Sequence, residues 1–416
     1  MRLLLITAYF PPDSGSAAHL FHDLGRSLAG LGHSVSVVTG FPGYHAQGDL
    51  SAYGGRATAT ERIDGLEVHR VRVPEIARNT PIGRGLWQLA CMRAFARAAE
   101  AIPGADAAIV YSPPLPLGAA ALRLRRRRGV PCVINVQDLF PQSAIDLGVL
   151  KNPILIAWFR RLEHRIYASA DAVTVHSSGN RDHVLARGGR SERTFVLPNA
   201  VDTEAVTPGR RTGDLRAELG IAADAFVASF GGIMGFSQDL DTIIAAADRL
   251  RDRGGFVFVL AGEGVEKERC RRLSESLGLT HSVRWLPMLP RERYPDLLAA
   301  SDVCLTTLRA DVKTPVVPSK ILSAMAAGRA VVAAVDGGGD APKLIAEAGC
   351  GVVVPPEDPA ALATAIIELS RDPETLSRYG ASGRDYAVRH LSPASLAERY
   401  AEICQRIGPG SPPPGR

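Results

Sequence analysis

One stretch of the chain decides the fold: Pro318-Ser319-Lys320-Ile321-Leu322-Ser323-Ala324-Met325-Ala326-Ala327-Gly328-Arg329-Ala330-Val331-Val332-Ala333-Ala334-Val335. Proline suits the first helical turn and serine caps free amides, so the stretch predicts a loop, a short helix that ends at Gly328, and a buried strand. Lys320 falls in the first helical turn, where the macrodipole disfavours a lone cation. A cation beside free amides indicates a phosphate site, and a solvated lysine is the alternative interpretation.

The length and the charge of the chain limit its class. A chain of 416 residues that is 46% hydrophobic predicts two domains with sizeable cores. The formal charge is +5, and residues 1–205 hold an excess of cations, with 23 Lys and Arg against 17 Asp and Glu. This excess suits an acidic or membrane-linked partner. Nucleic acid gains little support, because basic and aromatic residues do not interleave.

The cysteines and the apolar segments indicate a cytoplasmic protein. Six cysteines stand singly, without CxxC or Cys/His clusters, and so indicate reduced core residues. No apolar run reaches the length needed to span a membrane. The apolar start Leu3–Ile6 leads directly into Pro11-Pro12-Asp13 without a cleavage site, so it predicts a first strand and not a signal peptide.

Strands and helices alternate through the first half of the chain. Strand Leu3–Thr7, a glycine-containing loop, a helix over 17–31 and strand Val35–Thr39 form a unit typical of a doubly wound domain. Residues 41–62 have weak periodicity and predict a flexible loop over a cleft. Strand Pro131–Val136 leads to Asp138, which therefore falls where open α/β sheets bind ligands. A turn or cap aspartate is an equally good interpretation at this point.

The second half restarts the same alternation after a Pro/Gly/Arg-rich linker at 207–213. We therefore predict an N-terminal Rossmann-like domain over 1–206 and a C-terminal one over 207–391. A helix over 392–407 is expected to pack back on the N-terminal domain, and 408–416 is expected to be a disordered tail.

Seven short motifs follow one another along almost the whole chain: Pro11-Pro12-Asp13-Ser14-Gly15, Leu197-Pro198-Asn199-Ala200-Val201-Asp202, Phe230-Gly231-Gly232, Ala261-Gly262-Glu263-Gly264, Pro318-Ser319-Lys320, Ala326-Ala327-Gly328-Arg329 and Val354-Pro355-Pro356-Glu357-Asp358-Pro359-Ala360-Ala361-Leu362. Each motif is weak alone, but their order is specific. It resembles the GT-B glycosyltransferases, in particular glycosyltransferase family four. The subgroup that looks most similar transfers amino sugars in O-antigen and capsule-type glycans, since it also has the Pro-Ser-Lys segment and a Gln where this chain has Gln238.

The resemblance implies an α/β fold of GT-B type, in which two Rossmann-like doubly wound domains face a cleft. It implies an acceptor bound mainly by the N-terminal domain and a nucleotide-sugar donor bound mainly by the C-terminal domain. It also implies retention of anomeric configuration without a metal or other cofactor. The sequence agrees with catalysis that needs no metal, because it has no DxD-like pair of carboxylates at a strand end.

Site residues follow by matching these motifs. The expected catalytic residues are Asp138 and Lys320, and the acceptor is expected to contact Asp13, Asp138 and Phe140. Uridine is the expected base, against the loop Leu286-Pro287-Met288. The residues expected to bind the donor are Gly15, Ser16, Gly231, Gly232, Gly235, Gln238, Glu263, Leu286, Met288, Val317, Ser319, Lys320 and Ser323.

Three departures from the family pattern affect the site. Many members hold the ribose with a Glu at the position of Ser323, and a serine hydrogen bond is weaker than that of a carboxylate. Many hold the diphosphate with an Arg and a Lys where this chain has Ile233 and Gln238. Many have a His near the strand end at Asp138, where Asn135 and Gln137 are the polar neighbours.

The sequence therefore predicts a retaining glycosyltransferase. It would move a sugar, such as an N-acetylated or deoxy amino sugar, from a UDP-sugar to a hydroxyl of a glycan, lipid-linked or small-molecule acceptor. A GT-B nucleotide-sugar 2-epimerase is one alternative. Its sugar site would need several carboxylates and a His around the anomeric carbon, and Asp138 is the single strong candidate we find. A non-catalytic binding protein is the other, and the missing Glu, Arg and Lys favour it.

Two basic segments bear on membrane contact. The run Arg125–Arg128 sits at a predicted helix end, where cations are favoured, so a solvated helix end is preferred over contact with acidic lipid headgroups. The helix predicted over 153–168 mixes apolar residues with arginines. Such a helix is more often part of a core, but it leaves peripheral attachment to the inner membrane surface open.

Overall fold

A computed structural model describes residues 1–13, 16–43, 53–74, 76, 81–146, 148–209, 214–312 and 315–408. The chain forms two compact units, one made of Met1–Asn199 with Pro393–Arg416 and the other of Ala200–Ser392. The division falls after Asn199, whereas the sequence analysis placed it after residue 206. Of the predicted tail, residues 409–416 lie outside the described residues.

The first unit contains a sheet in the order β3-β4-β2-β1-β5-β6-β7-β8. Its strands are β1 Arg2–Ile6, β2 Ser34–Gly40, β3 Thr58–Ile63, β4 Leu66–Val71, β5 Ala107–Ser112, β6 Cys132–Val136, β7 Ala172–Val175 and β8 Thr194–Val196. All neighbours pair in parallel except β3, which runs antiparallel to β4. The helices between them are α1 Ser16–Gly30, α2 Pro81–Ala101, α3 Pro116–Arg128, α4 Gln142–Asp146, α5 Pro153–Ser169 and α6 Ser178–Ala186.

The second unit contains a parallel sheet in the order β11-β10-β9-β12-β13-β14. Its helices are α7 Asp214–Glu218, α8 Leu240–Leu250, α9 Lys267–Ser276, α10 Tyr294–Ala300, α11 Ser319–Ala326, α12 Asp340–Ala348, α13 Pro359–Arg371 and α14 Pro373–His390. Its strands are β9 Phe226–Ile233, β10 Phe256–Glu263, β11 Val283–Leu286, β12 Val303–Thr307, β13 Ala330–Ala334 and β14 Gly351–Val354. Both units are thus Rossmann-like, as the sequence predicted.

Continuous burial explains why the central strands lack an alternating pattern. Every residue of β5, β6, β12 and β13 is buried, because helices pack on the sheets. The final helix, α15 Pro393–Ile407, returns to the first unit. The Tyr400 hydroxyl of this helix accepts a 2.6 Å hydrogen bond from Asn135 of β6 and lies 3.0 Å from the Thr174 hydroxyl. Burial raises the pKa of Tyr400 to about 12, so this phenol stays protonated.

The structure corrects the prediction that 41–62 is a loop throughout. Thr58–Ile63 is strand β3, at the edge of the sheet, and its residues alternate between exposed and half-buried. Its partner strand β4 carries Arg70, which is fully buried and bonds to Glu61 of β3, the Gly40 carbonyl and the Pro11 carbonyl. The edge strand was missed because its mixed polar sequence, TATERI, shows no apolar run.

The stretch from Pro318 to Val335 folds as predicted, with one correction at its start. Helix α11 is followed by Gly328 in the left-handed conformation, at φ +63°, and then by strand β13. The cap position is occupied by Pro318, at φ −59° and ψ 130°, and Ser319 is the first helical residue. Ser319 therefore does not cap the helix, because the proline already provides the extended backbone that precedes it.

Candidate functional site

The Lys320 side chain of the second unit lies against the carboxyl end of β9. Its ammonium nitrogen stands 3.7 Å from the centre of the Phe230 ring and donates a hydrogen bond to the Gln238 carboxamide oxygen. Among the described residues, no carboxylate forms an ion pair with it. Burial lowers the pKa of Lys320 to about 7, since desolvation disfavours the charged form. A half-buried cation without a counter-ion is suited to an anionic ligand.

The predicted glycines at this edge have different structural roles. A Cβ at Gly231 would lie 2.6 Å from the Tyr294 ring, so packing within the unit already accounts for this glycine. Gly232 has φ +130°, and a Cβ there would point toward Lys320, with 3.8 Å to its Cε. Gly235 has φ −96° and needs no glycine for its conformation. Gly232 is thus the glycine that the backbone itself requires beside the lysine.

The loops that follow β9 and β10 are tied together by backbone hydrogen bonds. The Met234 amide donates to the Glu263 carbonyl at 2.9 Å, and the Glu266 amide donates to the Met234 carbonyl at 3.1 Å. Ile233 at the end of β9 is 66% exposed, and Phe236 and Val265 of these loops are 72% and 69% exposed. The sequence analysis did not select Phe236 or Val265, although large apolar side chains exposed after strand ends can mark a ligand surface.

Lys267 joins the two segments predicted to hold the base. Its ammonium nitrogen lies 2.7 Å from a Glu263 carboxylate oxygen and 3.1 Å from the Leu286 carbonyl oxygen. Glu263 and Met288 are exposed, and Leu286 is half-buried. The structure thus brings Glu263 and Leu286 together through a lysine that the sequence analysis did not select.

The remaining predicted donor residues surround the start of α11. Ser319 is exposed, while Val317 is half-buried against the core beneath the helix. The Ser323 hydroxyl donates to the Ser319 carbonyl at 3.3 Å. Gly15 lies outside the described residues, and Ser16 begins α1 with a side chain that is also outside them.

A cluster of acidic residues and a cysteine in the second unit could be interpreted as a metal site. Asp239-Leu240-Asp241 stands at the start of α8, and ligand atoms of Asp241, Glu266 and Cys270 lie within 4.8 Å of one another. The Arg269 guanidinium already pairs with both carboxylates, at 2.6 Å to Asp241 and 2.6 Å to Glu266. This arrangement describes an ion-pair network and not a vacant set of metal ligands.

The first unit presents the predicted Asp138 directly after β6. Asp138 is exposed, and among the described residues its carboxylate accepts no hydrogen bond. It lies close enough to Tyr111 to raise the pKa of that phenol, although burial is the larger cause. Phe140 packs its ring against Phe159 at 4.7 Å in an edge-on arrangement. The cap interpretation of Asp138 therefore has no hydrogen bond to support it.

Asp13 occupies a different position in the same unit. It is buried, and its carboxylate accepts a 2.8 Å hydrogen bond from the Gly43 amide, which joins the loop after β1 to the end of β2. It also lines a cavity of about 550 Å³ whose walls include Tyr9, Phe41 and Trp87. Asp138 and Phe140 are not among the residues that line this cavity. The predicted acceptor residues therefore fall into two groups within the first unit.

Two Rossmann-like units, one with a cation at a strand end, form an α/β arrangement that is typical of nucleotide-binding proteins. Residues 14–200 match the family described as Glycosyl transferase 4-like domain, and residues 212–386 match Glycosyl transferases group 1. The chain belongs to the GT-B glycosyltransferases of family four.

Similar proteins and structures agree with this assignment. The chain is 28% identical to WbjE of Pseudomonas aeruginosa, which is named as a probable glycosyltransferase. This match extends over 281 residues and covers 67% of this chain and 69% of WbjE. It is also 23% identical to WcaI of Escherichia coli K12, which is named as a putative colanic acid biosynthesis glycosyl transferase. This match extends over 411 residues and covers 96% of this chain and 98% of WcaI. It superimposes on Anabaena Alr3699/HepE, crystallised with UDP, with a TM-score of 0.73 at 19% identity, over 97% of this chain and 100% of that one.

Proposed function

We propose that the protein transfers a sugar from a UDP-sugar to an acceptor hydroxyl, with retention of anomeric configuration and without a metal. The observation that carries the proposal is the Lys320 ammonium, half-buried beside Gly232 with no carboxylate partner among the described residues. A diphosphate would supply the missing negative charge. The UDP in the Alr3699/HepE complex supports uridine as the base, and the names of WbjE and WcaI support a role in glycan assembly.

The proposed reaction breaks the bond between the anomeric carbon and a diphosphate oxygen, forms one between that carbon and the acceptor oxygen, and transfers the acceptor hydroxyl proton to the leaving diphosphate. Negative charge grows on the leaving diphosphate, and Lys320 in its protonated form would stabilise it. Asp138 would orient the acceptor hydroxyl or stabilise positive charge at the anomeric carbon. Its exposure and its lack of hydrogen-bond partners in the described structure leave the carboxylate available for either role.

The donor and the metal requirement are tested together. The full chain is screened for thermal stabilisation by nucleotide sugars, because a ligand of the folded state raises the melting temperature by mass action. UDP release is then measured with the best donor and a lipid-linked or glycan acceptor, with and without EDTA. We expect turnover to survive the chelator.

Three outcomes separate the proposal from its rivals. Complete loss of turnover in EDTA, restored by magnesium or manganese, would contradict the metal-independent mechanism. Interconversion of the donor without any acceptor would identify an epimerase. Binding of the donor with neither transfer nor slow hydrolysis would identify a binding protein. The anomeric configuration of the product, read by NMR coupling constants, tests retention.

A further inference from the structure

The exposed face of α5 combines apolar and cationic side chains. Helical spacing places Ile154, Trp158, Arg161 and Arg165 in one stripe, with Leu155 beside them. Ile154 is 77% exposed, and Leu155 and Trp158 are 43% and 44% exposed. We name the α5 patch as the residues Lys151, Ile154, Leu155, Trp158, Arg161 and Arg165. Large apolar side chains at this exposure indicate a surface that another partner covers.

The cations of the α5 patch are not used within the protein. Among the described residues, Lys151, Arg161 and Arg165 form no ion pair. The carboxylate in the sequence of α5, Glu163, is buried on the opposite side of the helix, where it pairs with His183 at 3.0 Å. The patch therefore carries positive charge without acidic neighbours on its own helix.

The arginine run of α3 provides the contrast. Arg123 pairs with Glu100, Arg125 pairs with Asp171 at 2.9 Å, and the Arg128 guanidinium donates to the Glu100 carbonyl at 2.6 Å. These contacts use much of the charge of the run inside the unit, and no large exposed apolar residue accompanies it within α3. Unlike the α3 run, the α5 patch joins cations that form no ion pair in the described structure to large exposed apolar side chains.

We propose that the α5 patch docks on the surface of an anionic lipid bilayer. Apolar side chains with a tryptophan enter the boundary between headgroups and acyl chains, while flanking cations meet the anionic headgroups. A second copy of the chain is a poorer occupant, because two positive patches would repel each other. No helix among the described residues is long and apolar enough to cross a membrane, so this contact would be peripheral.

The patch also leads toward the candidate acceptor residues. The Trp158 ring lies 4.7 Å from the Phe159 ring, which lies 4.7 Å from the Phe140 ring. Phe140 follows Asp138 closely in the chain, so docking would hold this strand end near the membrane surface. An acceptor presented at that surface, such as a lipid-linked one, is the consequence, and this consequence rests on the proposed function.

Vesicle binding of the full chain tests the docking without any sugar donor. The probes are vesicles of phosphatidylcholine alone and of phosphatidylcholine with phosphatidylglycerol, in a sedimentation assay. We expect binding to the anionic vesicles that weakens as salt increases. The double variant Arg161→Glu/Arg165→Glu should lower the partition coefficient about thirtyfold or more, since each basic residue near the surface contributes roughly fivefold. Trp158→Ala should lower it without changing the salt dependence.

The matched control is Arg126→Glu/Arg127→Glu, which changes the net charge equally at exposed positions of the α3 run. We expect it to bind anionic vesicles nearly as well as the wild type. Equal loss in the control would show a general charge effect and overturn the proposal, as would absence of wild-type binding at low salt. A dimer dispersed by Trp158→Ala would assign the patch to a second copy. UDP binding is measured on each variant to confirm that it is folded. Because vesicle binding is measured without a sugar donor, failure of the docking proposal is distinguishable from failure of the transferase proposal.

Discussion

Each unit contains a largely parallel sheet, but the two units differ in the charged group that lies at the carboxyl end of a buried strand. In the second unit, Lys320 is half-buried beside an aromatic ring, and its pKa is lowered by burial. In the first unit, Asp138 is exposed and accepts no hydrogen bond in the described structure. One architecture thus supplies a desolvated cation in one unit and a hydrated carboxylate in the other. Under the proposed function, the cation would meet the leaving diphosphate and the carboxylate would meet the acceptor hydroxyl.

The largest expected effect comes from removing the carboxylate. Asp138→Asn keeps the size of the side chain, so kcat should fall on the order of a hundredfold or more while UDP affinity stays nearly unchanged. The melting temperature should also stay unchanged, because no cap hydrogen bond is lost. Steady-state kinetics, calorimetry and thermal denaturation on the one variant measure all three quantities.

Asp146→Asn is the control for this prediction. Asp146 is also exposed in the first unit, where it accepts a 2.7 Å hydrogen bond from Gln142, and its loss should leave kcat unaltered. Near-normal turnover of Asp138→Asn with a lowered melting temperature would end the catalytic interpretation of Asp138.

The next effect concerns the cation. Lys320→Ala should weaken UDP binding by about 1.5–3 kcal/mol, the range for a hydrogen bond to a charged group. Lys343→Ala is the control, since Lys343 lies in the same unit and its side chain is 61% exposed. Unchanged UDP affinity of Lys320→Ala in calorimetry would remove Lys320 from the donor site and would erase the contrast between the units.

The pH dependence sharpens the same contrast. A bound diphosphate favours the charged lysine, so it should raise the pKa of Lys320 above its value of about 7 in the free protein. UDP affinity should then be constant below about pH 7 and fall by up to tenfold per pH unit above it, until the raised pKa is reached. Calorimetry from about pH 7.5 to about pH 9.5 avoids the ionisation of the terminal phosphate, near pH 6.

Lys320→Arg separates this titration from other pH effects. Arginine keeps its charge throughout the range, so the variant should bind UDP with a nearly flat pH profile. Proton uptake on UDP binding should likewise appear in the wild type and vanish in the variant. A wild-type affinity that does not change with pH would contradict a lysine that titrates near neutrality beside the ligand.

The fold could be predicted from the sequence because its signals are local. Strand Pro131–Val136 was predicted from a mostly apolar run, and the structure has β6 at Cys132–Val136, where every residue is buried. Strand β3 was missed because a polar edge strand becomes recognisable only through its partner, here through Arg70 on β4. Helix α14 was missed because Gly380 and Gly383 lower its helix propensity, and both glycines are buried where α14 packs against α11.

The site was less predictable than the fold, for a physical reason. The position of Lys320 beside Gly232 follows from two strand ends and a helix start, which the alternation of elements indicates. The Gln238 contact, the Lys267 bridge and the exposed Phe236 depend on side-chain directions in loops and at the start of α9. Loop geometry arises from tertiary contacts, so motif spacing alone does not contain it.

The smallest expected effect concerns Ser323, which stands where many relatives have a ribose-binding Glu. Its hydroxyl already donates to the Ser319 carbonyl, and the oxygen can still accept one bond from a ribose hydroxyl. Ser323→Ala should therefore weaken UDP binding by about 0.5–1.5 kcal/mol, less than Lys320→Ala. Comparison of UDP with 2′-deoxy-UDP and 3′-deoxy-UDP on both proteins locates the contact, because the wild type should discriminate against one analogue and the variant should not. Equal discrimination by both proteins would place the ribose elsewhere and leave the second unit to bind its donor mainly through the diphosphate.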